Sequence, residues 1–270
     1  MKSLLKIYFL FFILFVPHFL GASIFIHGGL THEKEYDVGT TYKGIIEVEN
    51  RYDKPQEVKV YMTDYEFFAD GKVIYGEAGK LSRSNANWIS INPKRLFIPP
   101  KEVVPVYYSV SVPDDTTLSG TYWCIIMLEP IAEGSAESST AKEDADITLG
   151  INQVLRYGIQ IITHISDTGQ RKIKFVNPVF KQEGGEKTLS IDIENRGDLW
   201  VVPDVWVELY DEIGVFVGKF AASKKRIFPG LSARFNIKFT DMPSQKYKAL
   251  IIADCSEDDI FGMNLTLLVK

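Results

Sequence analysis

The sequence is poor in residues that bind metals or perform thiol chemistry, because its 270 residues include two Cys and four His. It has no His-Glu-x-x-His motif, no phosphate-binding glycine loop and no Gly-x-Ser-x-Gly elbow. Its formal net charge is −5, so the protein lacks the net positive charge that binding to nucleic-acid phosphates requires. We therefore expect a protein that is not an enzyme, has no cofactor or metal, and does not bind nucleic acid.

The N-terminal residues have the pattern of a secretory signal peptide. Lys2 and Lys6 precede a run of ten apolar residues, Ile7–Val16, which is followed by Pro17 and by a short stretch that ends in the small residues Gly21 and Ala22. Ten residues make about 15 Å of helix, roughly half the thickness of a bilayer core. We expect cleavage after residue 22, and the alternative is a retained anchor. No later apolar run is long enough to span a membrane, so we expect a periplasmic or extracellular protein.

The remaining chain contains one pattern twice. The segments Gly44–Arg51 and Leu189–Arg196 both have the pattern of a strand, and both end in Glu-Asn-Arg. After each segment come, in the same order, a second strand, a glycine turn, a strand bounded by prolines and a strand with tyrosine near its start. We therefore expect two copies of one β-domain, covering residues 23–165 and 166–270.

Each copy consists of short stretches in which apolar and polar residues alternate, separated by Gly, Pro, Asn and Asp. In Arg234–Phe239, for example, the three apolar residues at alternate positions share one face. No stretch has the period of an amphipathic helix, which a parallel α/β fold would need. The sequence predicts an all-β protein with two immunoglobulin-like antiparallel β-sandwiches in tandem after the signal peptide.

One predicted strand, Ile147–Ile162, is longer than all others. It follows the polar segment 132–146, which has no large apolar residue. Its odd-numbered positions are apolar at seven of eight residues, whereas its even-numbered positions are mostly polar. A strand of this length would extend about 53 Å and exceed what one small sandwich covers.

The first half of this strand is the main candidate for partner binding. We expect it to form an open edge that displays Ile147, Leu149 and Ile151 to a strand of another chain. The alternative is that the strand bends at Gly150 or Gly158, so that both halves pack within their own domain.

Several single residues have simpler expected roles. Cys124 and Cys255 are either buried thiols on strands, which we favour, or a disulfide between the two copies. Trp123 has the pattern of a core residue, and Trp200 that of a residue at a surface or domain interface. Asn50 and Asn195 each end a strand, and we expect their short polar side chains to stabilise turns.

The first copy contains Trp88–Pro100, then Tyr107–Val112 followed by Pro113 and Asp114, and then Gly120–Trp123. In these features it resembles the first domain of periplasmic pilus-assembly chaperones. Members of that family have a signal peptide and two immunoglobulin-like domains. The resemblance implies a chaperone that lends a long edge strand to an unfolded or incomplete exported subunit. Ile147–Ile162 occupies the place of that strand.

The same resemblance implies a binding site for the terminal carboxylate of the subunit, formed by two basic residues. Arg156 matches the one on the long strand. For the one on the first strand, Ser23–Val38 offers only Lys34 and no arginine, which is a departure from the family. The residues expected to contact the partner are Ile147, Leu149, Ile151, Leu155, Arg156 and Lys34.

A second resemblance supports an alternative function. The segment Gly39–Asn50, with the pattern Gly-x-x-Tyr-x-Gly-x-Ile-x-Val-x-Asn, is similar to the start of surface modules of Gram-positive bacteria that bind cell-wall polymer. This resemblance implies an adhesive module at the cell surface or cell wall, with a wall polymer or a host surface ligand as its partner. In such a module the long strand only completes its own sandwich.

Overall fold

The computed structural model of the protein describes residues 24–132, 135, 137–139, 154–166, 168–240, 242–256 and 258–270. These residues form β-strands and one short 3-10 turn, Ala86–Trp88. They include no helix that is long and apolar enough to cross a membrane. The first-copy strands are β1 Ile24–His27, β2 Thr31–Tyr36, β3 Thr41–Asn50, β4 Gln56–Phe67, β5 Val73–Glu77, β6 Ile89–Asn92, β7 Arg95–Ile98, β8 Val103–Ser111, β9 Gly120–Ile131 and β10 Tyr157–Ile165. The second-copy strands are β11 Ile173–Glu183, β12 Glu186–Asn195, β13 Asp204–Tyr210, β14 Phe216–Ala221, β15 Ser232–Phe239, β16 Lys246–Asp254 and β17 Ile260–Leu268.

The first sandwich consists of two facing sheets. One sheet has the order β1-β3-β8-β6, and the other has the order β2-β10-β9-β4-β5, with β7 beside one end of β4. All these pairs are antiparallel except β2 with β10, which are parallel. Alternate residues of both sheets point inward, and Val48, Val106 and Ile126 are examples of fully buried core residues.

The second sandwich repeats this design with fewer strands. Its sheets have the orders β11-β12-β15 and β14-β13-β16-β17, and every pair is antiparallel. Ile191, Phe235 and Ile251 come from both sheets and are fully buried between them. The prediction of an all-β protein with two immunoglobulin-like sandwiches in tandem is therefore confirmed.

In the first sandwich, a buried asparagine closes the turn after β3. The side chain of Asn50 is inaccessible to solvent. Its Oδ1 accepts the backbone N–H of Tyr52 at 2.9 Å, and its Nδ2 donates to the carbonyl of Lys54 at 2.7 Å. The same Nδ2 donates to the carbonyl of Ile98 at 3.0 Å, which joins the turn to the end of β7.

The second sandwich has the same arrangement after β12. Asn195 is also fully buried. Its Oδ1 accepts the N–H of Gly197 at 2.9 Å, and its Nδ2 donates to the carbonyls of Leu199 at 2.8 Å and Ile227 at 2.9 Å. The turn role expected for both asparagines is confirmed, and the repeat in the sequence corresponds to a repeat in the structure.

β10 is shorter than the strand predicted over Ile147–Ile162. It begins at Tyr157 and ends at Ile165, and the three residues before it lie outside any strand. Its neighbour β9 ends at Ile131, which in the observed register would face Val154. A strand starting at residue 147 would therefore extend beyond β9 and lack that neighbour. The first seven residues of the predicted strand, with Ile147, Leu149 and Ile151, are outside the described residues.

The outer face of β9 packs against the second sandwich. Trp123 is 3% exposed, as expected of a core residue, but it belongs to the core of the second copy. Its ring stacks on Phe228 with centroids 4.6 Å apart, and its Nε1 donates to the carbonyl of Tyr65 at 2.8 Å. Ile162 of β10 is buried in the same cluster. The two sandwiches therefore share part of one core.

Close backbone packing also joins the two sandwiches. Gly120 has a φ of 70°, and a Cβ there would overlap the backbone oxygen of Asp198. The N–H of Thr121 donates to that same oxygen at 2.8 Å. Because only glycine permits this approach, the contact holds the start of β9 against the turn after β12.

Neither cysteine forms a disulfide. Cys124 lies on β9 in the first core, and burial raises the pKa of its thiol. Cys255 follows β16 and is half-buried, and burial raises the pKa of its thiol to about 11. The buried-thiol alternative is thus correct for Cys124, whereas Cys255 lies just outside a strand.

Candidate binding site

β10 has an open edge at its N-terminal end. β9 pairs with all of Tyr157–Ile165, whereas β2 pairs only with Gln160–Ile165 on the other side. The N–H of Gln160 donates to the carbonyl of Leu30, on the β2 side, at 2.9 Å. Backbone groups in a strand alternate in direction, so the N–H and carbonyl of Gly158 also point to that side. Among the described residues, no strand pairs with Gly158 there.

A groove of about 570 Å³ lies beside this edge on the outer face of the sheet. Its walls come from β4, β5, β9 and β10 and are rich in tyrosine. The lining residues are Leu30, Thr31, Tyr61, Thr63, Tyr65, Tyr75, Ile125, Met127, Arg156, Gly158 and Gln160. A Cβ at Gly158 would come within 3.0 Å of Ile125, so glycine keeps this part of the groove open next to the edge. The groove can accept apolar side chains from a strand added to β10.

One end of the groove carries an ion pair. Arg156 Nη2 lies 2.7 Å from Glu129 Oε1. The hydroxyl of Tyr61 donates to Glu129 Oε2 at 2.8 Å, and partial burial together with this carboxylate raises the pKa of Tyr61. Glu129 therefore neutralises the guanidinium of Arg156. Leu155, beside it, is 51% exposed.

The structure does not bring Arg156 and Lys34 together. Lys34 lies on β2 and pairs with Thr163 of β10. The side chain of Thr163 points into the first core, so Lys34 is on this inner face of the sheet. Arg156 lies with Gly158 on the outer face of the sheet. The two basic residues are thus on opposite faces and about 23 Å apart along the strand direction.

A different polar cluster occupies the cleft between the sandwiches. His164 of β10 contacts Glu33 Oε1 through Nε2 at 2.8 Å and Thr121 Oγ1 through Nδ1 at 2.9 Å. Its ring stacks on Trp200 with centroids 5.8 Å apart. Trp200 therefore lies at the domain interface, one of the two positions expected for it.

Arg226 completes the same cluster. Its guanidinium lies 3.9 Å from the centre of the Trp200 ring, and Nη1 donates to Gln160 Oε1 at 3.2 Å. Nη2 is 3.7 Å from Glu33 Oε2. Burial lowers the pKa of Arg226. No local pattern in the sequence brings Glu33 and Arg226 together, because their proximity depends on the parallel pairing of β2 with β10.

The described residues contain no group of three or more His, Cys, Asp or Glu side chains that could hold a metal ion. The titratable residues of the cleft instead pair with one another. The candidate site therefore consists of an open strand edge, an apolar groove and a polar cleft.

No protein-family model matches the chain, and no curated protein matches it in sequence. Solved structures match its fold at low sequence identity. One is a chaperone–tip adhesin complex of CFA/I fimbriae, with 13% identity and a TM-score of 0.48, over 92% of this chain and 99% of that one. Another is the class 5 fimbriae chaperone CfaA, with 14% identity and a TM-score of 0.46, over 92% and 99%.

A third match is the CsuC–CsuE chaperone–tip subunit complex from the archaic Csu pili of Acinetobacter baumannii. Its identity is 11% and its TM-score 0.46, over 90% of this chain and 98% of that one. All three are structures of chaperones of fimbriae or pili, the class of protein that the motifs of the first copy resemble.

Proposed function

We propose that the protein is a non-enzymatic binding protein that captures a partner polypeptide by adding a strand to the open edge of β10. The observation that carries this proposal is the one-sided pairing of Tyr157–Ile159, which leaves the backbone groups of Gly158 directed toward an incoming strand. Main-chain hydrogen bonds would supply affinity, and the adjacent groove would receive alternate side chains.

The partner we propose is an unfolded or incomplete subunit of a pilus or surface fibre, for which this protein acts as a periplasmic chaperone. The export pattern of residues 1–22 and the motif resemblance of the first copy support this choice. The proposed contact residues Ile147, Leu149 and Ile151 precede the open edge in the sequence, with residues 152–156 between them and Tyr157. Their alternation matches the period of a strand that continues β10.

Leu155 and Arg156 complete the proposed contact surface. Leu155 is exposed beside the groove, and Arg156 can exchange Glu129 for a carboxylate of the partner. Lys34 faces the other side of the sheet, so we assign the carboxylate contact to Arg156 alone.

The decisive experiment is recovery of exported proteins from an envelope extract by the tagged protein, read by mass spectrometry. The double variant Leu149→Asp with Ile151→Asp should lose about tenfold or more of the captured subunits, because buried carboxylates oppose strand addition. The matched control is Ile213→Asp with Val215→Asp, which changes two apolar residues that are 86% and 56% exposed on the second sandwich. Unchanged recovery by the first variant contradicts strand donation.

The surface-module alternative also has a supporting observation. Ile159 and Ile161 of β10 are fully buried in the first core, so this strand completes its own sandwich. If that is its whole role, the protein binds cell-wall polymer or a host ligand and captures no subunits. Binding to purified cell wall, with no recovered polypeptide, would favour this second function.

A further inference from the structure

β17 forms an unprotected edge of the second sandwich. It pairs with β16 along all of Ile260–Leu268, without a bulge. In the part of the chain that the structure describes, no strand pairs with its other side. The strand has no charged residue and no proline. Natural edge strands usually carry such residues, because these prevent pairing with another chain.

The opposite edge of the same sheet, β14, has the protection that β17 lacks. Its register with β13 is interrupted by a bulge at Val217, and Lys219 follows two residues later. Bulges and lysines both oppose edge-to-edge association. The contrast between two edges of one sheet indicates that β17 is adapted to a partner strand.

The side chains of β17 are complementary to a second β17 that runs in the opposite direction. When Asn264 lies on a two-fold axis, each residue faces the one equally far on the other side of Asn264 in the second copy. Ile260, which is 60% exposed, then faces Leu268, which is 56% exposed. In this register the apolar residue at each end of β17 faces an apolar residue of the second copy, and Asn264 faces Asn264.

The charges that flank the strand follow the same symmetry. Asp258, in the hairpin turn before β17, and Lys270, just after the strand, lie equally far before and after Asn264, so their side chains would lie near each other between the two copies. Both are exposed, and neither forms an ion pair with another described residue. Opposite charges at facing positions favour this register over shifted ones.

One side chain hydrogen-bonds to the backbone of β17. Gln182, which is exposed, donates Nε2 to the carbonyl of Leu268 at 2.9 Å and accepts the N–H of Lys270 at 3.0 Å. Both contacts are at the C-terminal end of the strand, and pairing with a second copy would replace them, because Leu268 would then pair with Ile260 of that copy. Among the described residues, no other side chain hydrogen-bonds to the outward backbone of Ile260–Leu268.

We propose that β17 pairs with β17 of a second copy of this chain and forms a two-fold symmetric dimer. The pairing joins the two sheets that contain β17 into one continuous sheet. It is isologous, so one substitution at the axis acts twice in the same place.

Sedimentation equilibrium of the purified protein over a series of concentrations tests the proposal. We expect a monomer–dimer equilibrium for the unmodified protein. Asn264→Lys places two like charges opposite each other at the axis and should raise the dimer Kd by about tenfold or more. Asn236→Lys, at an exposed position in the other sheet of the same sandwich, should leave the Kd unchanged.

A charge exchange tests the register without affecting the fold. Asp258→Lys should weaken the dimer by bringing two lysines together, and adding Lys270→Asp should restore it. A protein that is monomeric at every concentration overturns the proposal. A dimer that Asn264→Lys leaves intact, or that the charge exchange does not restore, also overturns it.

Discussion

At the scale of single residues, a buried asparagine has the same structural role in both sandwiches. Asn50 and Asn195 each bind a turn and a distant backbone segment from a fully buried position. A short amide can donate and accept at once, which is why it suits a site where backbone groups of both kinds are buried. The sequence predicts the turn role, because that contact is local, but not the second contact, which joins residues far apart in the chain.

Asn195→Ala should lower the free energy of unfolding by about 3 kcal/mol, because three hydrogen bonds are lost and buried polar groups are left without partners. Urea unfolding measures this difference. Asn236→Ala is the control, since that residue is exposed and has one side-chain bond, to Ser190. Equal losses for both variants would show that burial of Asn195 is not what matters.

Cys255 should react slowly with thiol reagents near neutral pH. Burial raises its pKa to about 11 from an ordinary value of 9.0, so the reactive thiolate is about a hundredfold rarer at pH 7.5. The rate of disulfide exchange with an aromatic disulfide reagent should rise with pH up to about 11. Cys255→Ser should abolish this rate, and a plateau reached by pH 9 would contradict the raised pKa.

At the scale of elements, β9 belongs to both sandwiches. Its inward residues, such as Ile126, fill the first core, and Trp123 on its outer face fills part of the second. The alternation that places these residues on opposite faces is local, so the sequence predicts it. What covers the outer face depends on Phe228, which lies more than a hundred residues later and leaves no local signal.

Trp123→Ala should destabilise the protein by about 3–5 kcal/mol, because it leaves a large cavity between the sandwiches. Trp206→Ala should cost less, since Trp206 is only half-buried and lies under Lys219 on the sheet surface. Denaturant unfolding gives the totals. Amide exchange should also quicken in β15 of the Trp123 variant, and unchanged exchange there would argue against a shared core.

At the scale of the whole molecule, the two-sandwich fold could be predicted and much of the candidate site could not. The repeat, the turns and the period of two define the architecture from local pattern. The family resemblance paired Arg156 with Lys34, although the first strand has no arginine, and the two residues lie on opposite faces. The register between β2 and β10 decides which residues of the two strands lie on the same face of the sheet. That register is set by tertiary packing.

The contact between Trp123 and Phe228 also has a consequence for biosynthesis. A chain is made from its N-terminus, so β9 leaves the ribosome about a hundred residues before Phe228 exists. Until then the outer face of β9 has nothing to cover its aromatic ring. β2 likewise has no strand to pair with until β10 has been synthesised. Such distant pairings slow folding, so the nascent first half must stay unfinished until the second half has been synthesised.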